Sequence, residues 1–107
     1  MSMAPERQKL ESALHSLRLQ FVQNLAAEVA KVDAQLLRWQ AGDEAALGAA
    51  ISLAHGLAGA GSLFGRRDVT LAARALEQLL CTLPDDWQLQ LPAARAALLK
   101  LGQMATE

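Results

Sequence analysis

Residues 46–64 read Ala46-Leu-Gly-Ala-Ala50-Ile-Ser-Leu-Ala-His55-Gly-Leu-Ala-Gly-Ala60-Gly-Ser-Leu-Phe64, with apolar positions at Ala46, Ala50, Leu53, Leu57, Ala60 and Phe64, alternately four and three apart. At ~100° per residue these positions gather on one side of an α-helix, as the seam of a bundle helix does. His55 projects roughly opposite that seam. Within about 60° of it on the helical wheel lie Gly48, Ile51, Ser52, Ala58, Gly59 and Ser62, of which only Ile51 is bulky. A solvent-facing helix surface normally carries long Glu, Lys, Gln and Arg side chains. Here an imidazole stands on a bare face that another protein surface can approach.

The glycines make that face costly. Gly48, Gly56, Gly59 and Gly61 share one helical pattern, and each costs ~1 kcal/mol relative to alanine in a helix interior. Gly56 and Gly61 fall toward the flanks and the core side, where close helix packing is reason enough. Gly48 and Gly59 lie beside His55, where folding gains nothing from them. Access to the histidine accounts for them; the alternative on the pattern alone is an Ala/Gly-rich helix of a structural bundle with an incidental surface histidine.

Working outward, residues 6–40 form a helical stretch without internal Gly or Pro. Val22, Leu25, Val29, Val32, Leu36 and Trp39 make a second seam. Leu10, Leu14, Leu17 and Phe21 continue an apolar stripe upstream in a slightly different phase, as one long helix or as a short first helix kinked near residues 15–19. Pro5 suits a first helical position and Gly42 the residue beyond the end. Asp43 is placed to cap the next helix, which runs from about Glu44 to Phe64 with Gly65 as terminator. Asp68 is placed to cap a third helix with Val69, Ala72, Leu76, Leu79 and Leu83 on its apolar face, ended by Pro84. A fourth opens either at Asp85 or Asp86, with Pro92 inside it, or at Pro92 itself. It turns Leu91, Ala94, Leu98 and Leu101 inward, and Trp87 is expected to plug one end. Short connections imply antiparallel neighbours. The expected architecture is an all-α, up-and-down four-helix bundle over residues 6–105, with a possible extra N-terminal helix or extension and residues 1–5 disordered.

Composition excludes several functions. In 107 residues, 52% are hydrophobic, chiefly Ala and Leu, with two Trp, two Phe and no Tyr; that favours helices over sheet. Ten basic against eleven acidic residues give a net charge of −1, and the basic stripe that nucleic-acid binding needs is missing. No apolar run approaches the ~20 residues of a membrane span, and the N-terminus lacks the apolar stretch of a secretory signal. The single cysteine, Cys81, fits a reduced cytoplasmic setting and a small core or boundary position. His15 and His55 with one cysteine make no zinc site.

The run His55-Gly-Leu-Ala-Gly-Ala-Gly-Ser-Leu-Phe-Gly65 resembles the signature of histidine-phosphotransfer (HPt) domains, in outline His-x-Leu-Lys-Gly-small-small-x-x-(aromatic or Leu)-Gly. His55 matches the phosphoacceptor, Leu57 the buried leucine, Gly59 the open glycine and Phe64-Gly65 the helix end. Gln40-Ala-Gly-Asp43 resembles the turn before the histidine helix, and Ala72-Ala-Arg-Ala-Leu-Glu77 the helix after it. The resemblance covers roughly residues 18–105. The chain departs from the signature at Ala58, which stands where the family carries lysine.

The resemblance implies a phosphorelay intermediate. His55 would accept a phosphoryl group from an aspartyl phosphate and exchange it with the aspartate of a response-regulator receiver domain, upstream of which stands a hybrid sensor histidine kinase. Such a chain is a phosphocarrier without autokinase activity. It holds no cofactor of its own, and the Mg²⁺ ion of the transfer belongs to the receiver. Gly48, Ser52, Ala58, Gly59, Ser62 and Arg66 would meet the partner, with Arg67 near an acidic receiver surface, and either serine could bond the imidazole or the phosphoryl group. A monomer is expected. The competing reading is an adaptor bundle of the same shape that binds a receiver or kinase without carrying phosphate.

Overall fold

The computed structural model describes residues 4–105. Its four helices are α1 (Pro5–Gln40), α2 (Ala45–Leu63), α3 (Arg67–Thr82) and α4 (Trp87–Met104). They form an antiparallel four-helix bundle in which α2 touches α1 and α3, and α4 touches α3 and α1. Of the N-terminal segment expected to be disordered, residues 1–3 lie outside the described residues, whereas Pro5 is the first residue of α1.

Helix ends follow from local chemistry. Pro5 opens α1 with its φ already helical and no N–H to leave unpaired. At the far end the Gly42 N–H donates to the Trp39 carbonyl and the Asp43 N–H to the Arg38 carbonyl, both at 3.0 Å. This double closure needs a left-handed residue, which Gly42 supplies at φ 108°. The same closure ends α2. Gly65, at φ 70°, donates to Ser62, and Arg66 donates to Gly61 at 2.7 Å. Asp43 then serves both sides of its turn: its carboxylate accepts from the Ala45 N–H at 3.2 Å and pairs with Arg38 at 3.1 Å.

Leu25, Val32 and Leu36 of α1, Ala50, Ala54 and Leu57 of α2, Val69, Ala73, Leu76 and Leu80 of α3, and Ala94, Leu98 and Leu101 of α4 form one core. The apolar residues expected to face inward on α3 and α4 are buried or partly buried. The seam of α2 is broader than its sequence spacing suggests. Leu47, Ala54, Ala58 and Gly61 are buried along with Ala46, Ala50 and Leu57. The reason is tertiary: α2 has α1 on one flank and α3 on the other, so it buries a wide arc where a two-helix seam would bury a stripe.

Several expectations need correction. Asp68 is not the cap of α3; it lies in the first turn, where Arg66 holds its carboxylate at 2.9 and 3.0 Å. Pro92 lies inside α4, so of the two openings the structure takes the earlier one, and the Gln88 carbonyl loses its helical donor. Trp87 does not plug the bundle but is half exposed, and Cys81 is exposed. Gly56 has open space around it and no close neighbour. The 19-residue α2, at mean hydropathy 1.3, does reach the length and apolar content of a short membrane span, because it is rich in Ala and Leu and carries no Asp, Glu, Lys or Arg.

The stripe upstream of Phe21 belongs to the same helix as the bundle seam. All of residues 5–20 are exposed, and Phe21 is the first buried side chain of α1. A 36-residue helix is ~54 Å long, and α1 therefore runs beyond the bundle as an N-terminal extension.

Candidate functional site

α2 and α3 share the bundle's most extensive helix pairing, made possible by one glycine. A Cβ on Gly61 would stand 2.5 Å from Thr70 Oγ1, 2.9 Å from the Thr70 nitrogen and 3.0 Å from the Arg66 carbonyl. The closeness is used: the buried Thr70 hydroxyl donates to the Ala58 carbonyl at 3.0 Å and lies 3.3 Å from Ser62 Oγ. These bonds fix the two helices side by side, two turns and less from His55.

His55 stands on the outer face of α2 with its side chain 78% exposed, and its Nδ1 lies 3.2 Å from each carboxylate oxygen of Glu77 on α3. Glu77 is mostly covered, at 26% exposure. A carboxylate accepts only, so Nδ1 is the ring nitrogen that carries the proton in this pair. Nε2 has no hydrogen-bond partner among the described residues, and in the neutral ring it is the nitrogen that holds the lone pair. The imidazole forms one wall of an open depression shared with Arg74, Glu77, Gln78, Cys81 and Thr82.

The residues expected around His55 fare differently. Gly48 and Gly59 are exposed, and a Cβ on either would meet nothing within 4 Å; their absence of bulk has no packing cause. Ser52 is exposed beside them. Ser62 is exposed too, yet its hydroxyl is paired with Thr70, not with the imidazole. Ala58 is no part of the open face. It is 6% exposed and packed in the core cluster, because the buried arc of α2 extends toward α3. Arg66 is committed within the fold: besides its fork on Asp68, it reaches the Met104 carbonyl at the end of α4 at 3.4 Å. That fork holds the Asp68 carboxyl below its ordinary range. Arg67 is exposed.

Sequence reasoning missed two groups, Glu77 and Arg74. Both lie within the α3 stretch that resembles the family, but no spacing rule links residue 55 to residue 77. A weak signal existed: Arg74, Glu77 and Gln78 are the long polar side chains of one α3 face, three and four apart.

Among the described residues no group of three or more His, Cys, Asp or Glu side chains is placed to hold a metal ion. The one carboxylate at the histidine is bonded to Nδ1. The site offers an unencumbered nucleophilic nitrogen, a carboxylate behind the ring, a cation to one side and a cleared approach.

No curated protein and no solved structure matches the chain. The family model described as Hpt domain matches residues 16–106, nearly the whole chain and with it α2, α3, α4 and most of α1. Hpt domains carry phosphoryl groups in two-component signalling and interact with receiver domains and histidine kinases. With an exposed histidine on the second helix of a four-helix bundle, and the family match running across all four helices, this chain belongs to the Hpt domain family.

Proposed function

We propose that His55 is the phosphoacceptor of a phosphorelay intermediate, and that the transfer takes place at Nε2. The observation that carries this reading is the Nδ1–Glu77 pair at 3.2 Å. With the proton on Nδ1, the Nε2 lone pair attacks the phosphorus of an aspartyl phosphate. The aspartate leaves as carboxylate, and no proton has to move. The phosphorylated ring keeps its Nδ1 proton and gains positive charge, which the Glu77 carboxylate faces. Electrostatic stabilisation of this kind acts where charge develops. In the return step the aspartate of a response-regulator receiver attacks the phosphorus and the neutral imidazole leaves.

The partners are a receiver domain and, upstream, a hybrid sensor histidine kinase, in the cytoplasm. Mg²⁺, which neutralises charge on the transferring group, is assigned to the receiver, since the nearby carboxylate of this chain is engaged by the ring. The chain acts as a carrier without autokinase activity. Gly48, Ser52 and Gly59 clear the approach, and Arg67 and Arg74 supply exposed positive charge. Arg74 takes the part of the cation that Ala58 lacks, since it lines the same depression as His55. Ser62, Ala58 and Arg66 act through the fold beneath.

The test is incubation with phosphoramidate or a phosphorylated receiver and Mg²⁺, followed by measurement of acid-labile phosphate. The parent is expected to label and His55→Gln to remain unlabelled while folded, since surface substitutions usually change stability by less than ~0.5 kcal/mol. Equal labelling of both proteins refutes the site. A parent that binds a receiver yet never labels is the adaptor of the competing reading.

A further inference from the structure

The phosphotransfer site leaves the N-terminal extension of α1 without a purpose. Residues 5–15 lie before the family match, and every residue from 5 to 20 is exposed, including Leu10 at 59%, Leu14 at 41% and Leu17 at 45%. Most helical stability in proteins comes from tertiary packing of an apolar face, and the exposed first turns of α1 bury no such face within the chain. Leu10, Leu14, Leu17 and Phe21 alternate four and three apart, the repeat of a coiled-coil seam. The stripe does not stop in solvent. Leu17 and Phe21 run into a groove of about 160 Å³, closed on its other side by Leu57, Ala60 and Phe64, where the Phe21 and Phe64 rings stack at 5.1 Å.

We propose that this stripe is a dimer interface, occupied by the extension of a second copy of the chain running antiparallel. Charge decides both the occupant and the direction. In a parallel, in-register pair, Arg7 would oppose Arg7 of the second copy along the seam. Glu6 would face Glu11 of the second copy across the flank, by the rule that sets g against e five residues on. Both contacts repel. In the antiparallel register that sets Leu14 against Leu17 of the second copy, Leu10 falls opposite Phe21, at the groove. The flank then brings Glu11 to Arg18 of the second copy, and by symmetry Arg18 to Glu11. Among the described residues neither Glu11 nor Arg18 has an ion-pair partner. A two-fold interface of this kind uses one patch twice. It contradicts the monomer expected from the sequence, and it does not depend on whether His55 carries phosphate.

The test is sedimentation of the full chain over a concentration series, in reductant so that exposed Cys81 forms no cross-link. A concentration-dependent dimer is expected. Leu14→Glu should give a monomer that keeps the helicity of the bundle. Glu11→Arg and Arg18→Glu should each weaken dimerisation about tenfold, and the double variant Glu11→Arg/Arg18→Glu should restore it. A monomer at every concentration overturns the proposal and leaves the stripe to another protein's helix. A dimer that survives Leu14→Glu overturns the interface, and failure of the double variant to restore it overturns the antiparallel register.

Discussion

Glu77 of α3 sets both carboxylate oxygens 3.2 Å from Nδ1 of His55 on α2, twenty-two residues away in the chain. This pairing selects which ring nitrogen is free, and it turns an exposed histidine into an oriented one. His55 itself is 78% exposed, and among the described residues no other side chain bonds its ring.

Removing the carboxylate should therefore slow transfer without unfolding the protein. Glu77→Ala frees the ring to rotate and to carry its proton on either nitrogen, and is expected to lower the phosphotransfer rate about tenfold, the scale of one charge-assisted hydrogen bond. Glu77→Gln keeps an acceptor but not the charge and should fall between. Rates measured by rapid quench that are equal for parent and Glu77→Ala would remove Glu77 from the mechanism.

Two glycines of α2, Gly59 on the open face and Gly61 against α3, should respond in opposite ways. Gly59 has open space around its Cα, so Gly59→Gln should keep or raise stability by up to ~1 kcal/mol while hindering the receiver's approach. Gly61→Ala forces a methyl against Thr70, whose backbone nitrogen cannot yield, and should cost ~1–3 kcal/mol. Urea denaturation and transfer rates on both variants separate access from packing.

Arg74 should matter to the phosphorylated state more than to the fold. Arg74→Gln is expected to leave stability within ~0.5 kcal/mol and to shift the equilibrium between phosphorylated His55 and phosphorylated receiver away from His55, by less than about tenfold for a screened surface charge. Arg74→Lys should recover most of the shift. An unchanged equilibrium in Arg74→Gln assigns no electrostatic part to this side chain.

Acid should weaken the corner where α2, α3 and α4 meet. The Arg66 fork lowers the Asp68 carboxyl below its ordinary value, so this pair stabilises the fold above the usual aspartate range and ceases to do so as pH falls through the lowered value. Asp68 is 46% exposed, and the contribution is at most ~0.5 kcal/mol after solvent screening. Asp68→Asn should accordingly reduce stability slightly at pH 7 and not at all at pH 2. A difference that persists undiminished in acid points to the first-turn hydrogen bonds instead of the ion pair.

Much of this molecule was legible in its residues. Four helices, their order, their glycine terminators and an imidazole on a stripped face all follow from 3.6-residue periodicity and from conformations only glycine takes at little cost. These are local rules, and local rules act within a helix or across one turn. They placed His55, Gly48 and Gly59 correctly on an open surface.

The rest depended on which helices became neighbours. Ala58 looked open on a wheel drawn for a single seam, but α3 on the second flank of α2 buried it. Arg66 looked free at a turn, but the end of α4 arrives there and takes its donors. Glu77 had no sequence signal tying it to His55, because contacts across helices are set by packing distance and crossing geometry, not by separation along the chain. Periodicity determined the helices and the exposed nucleophile; the pairing of α2 with α3, close enough only because Gly61 has no side chain, decided which carboxylate orients it.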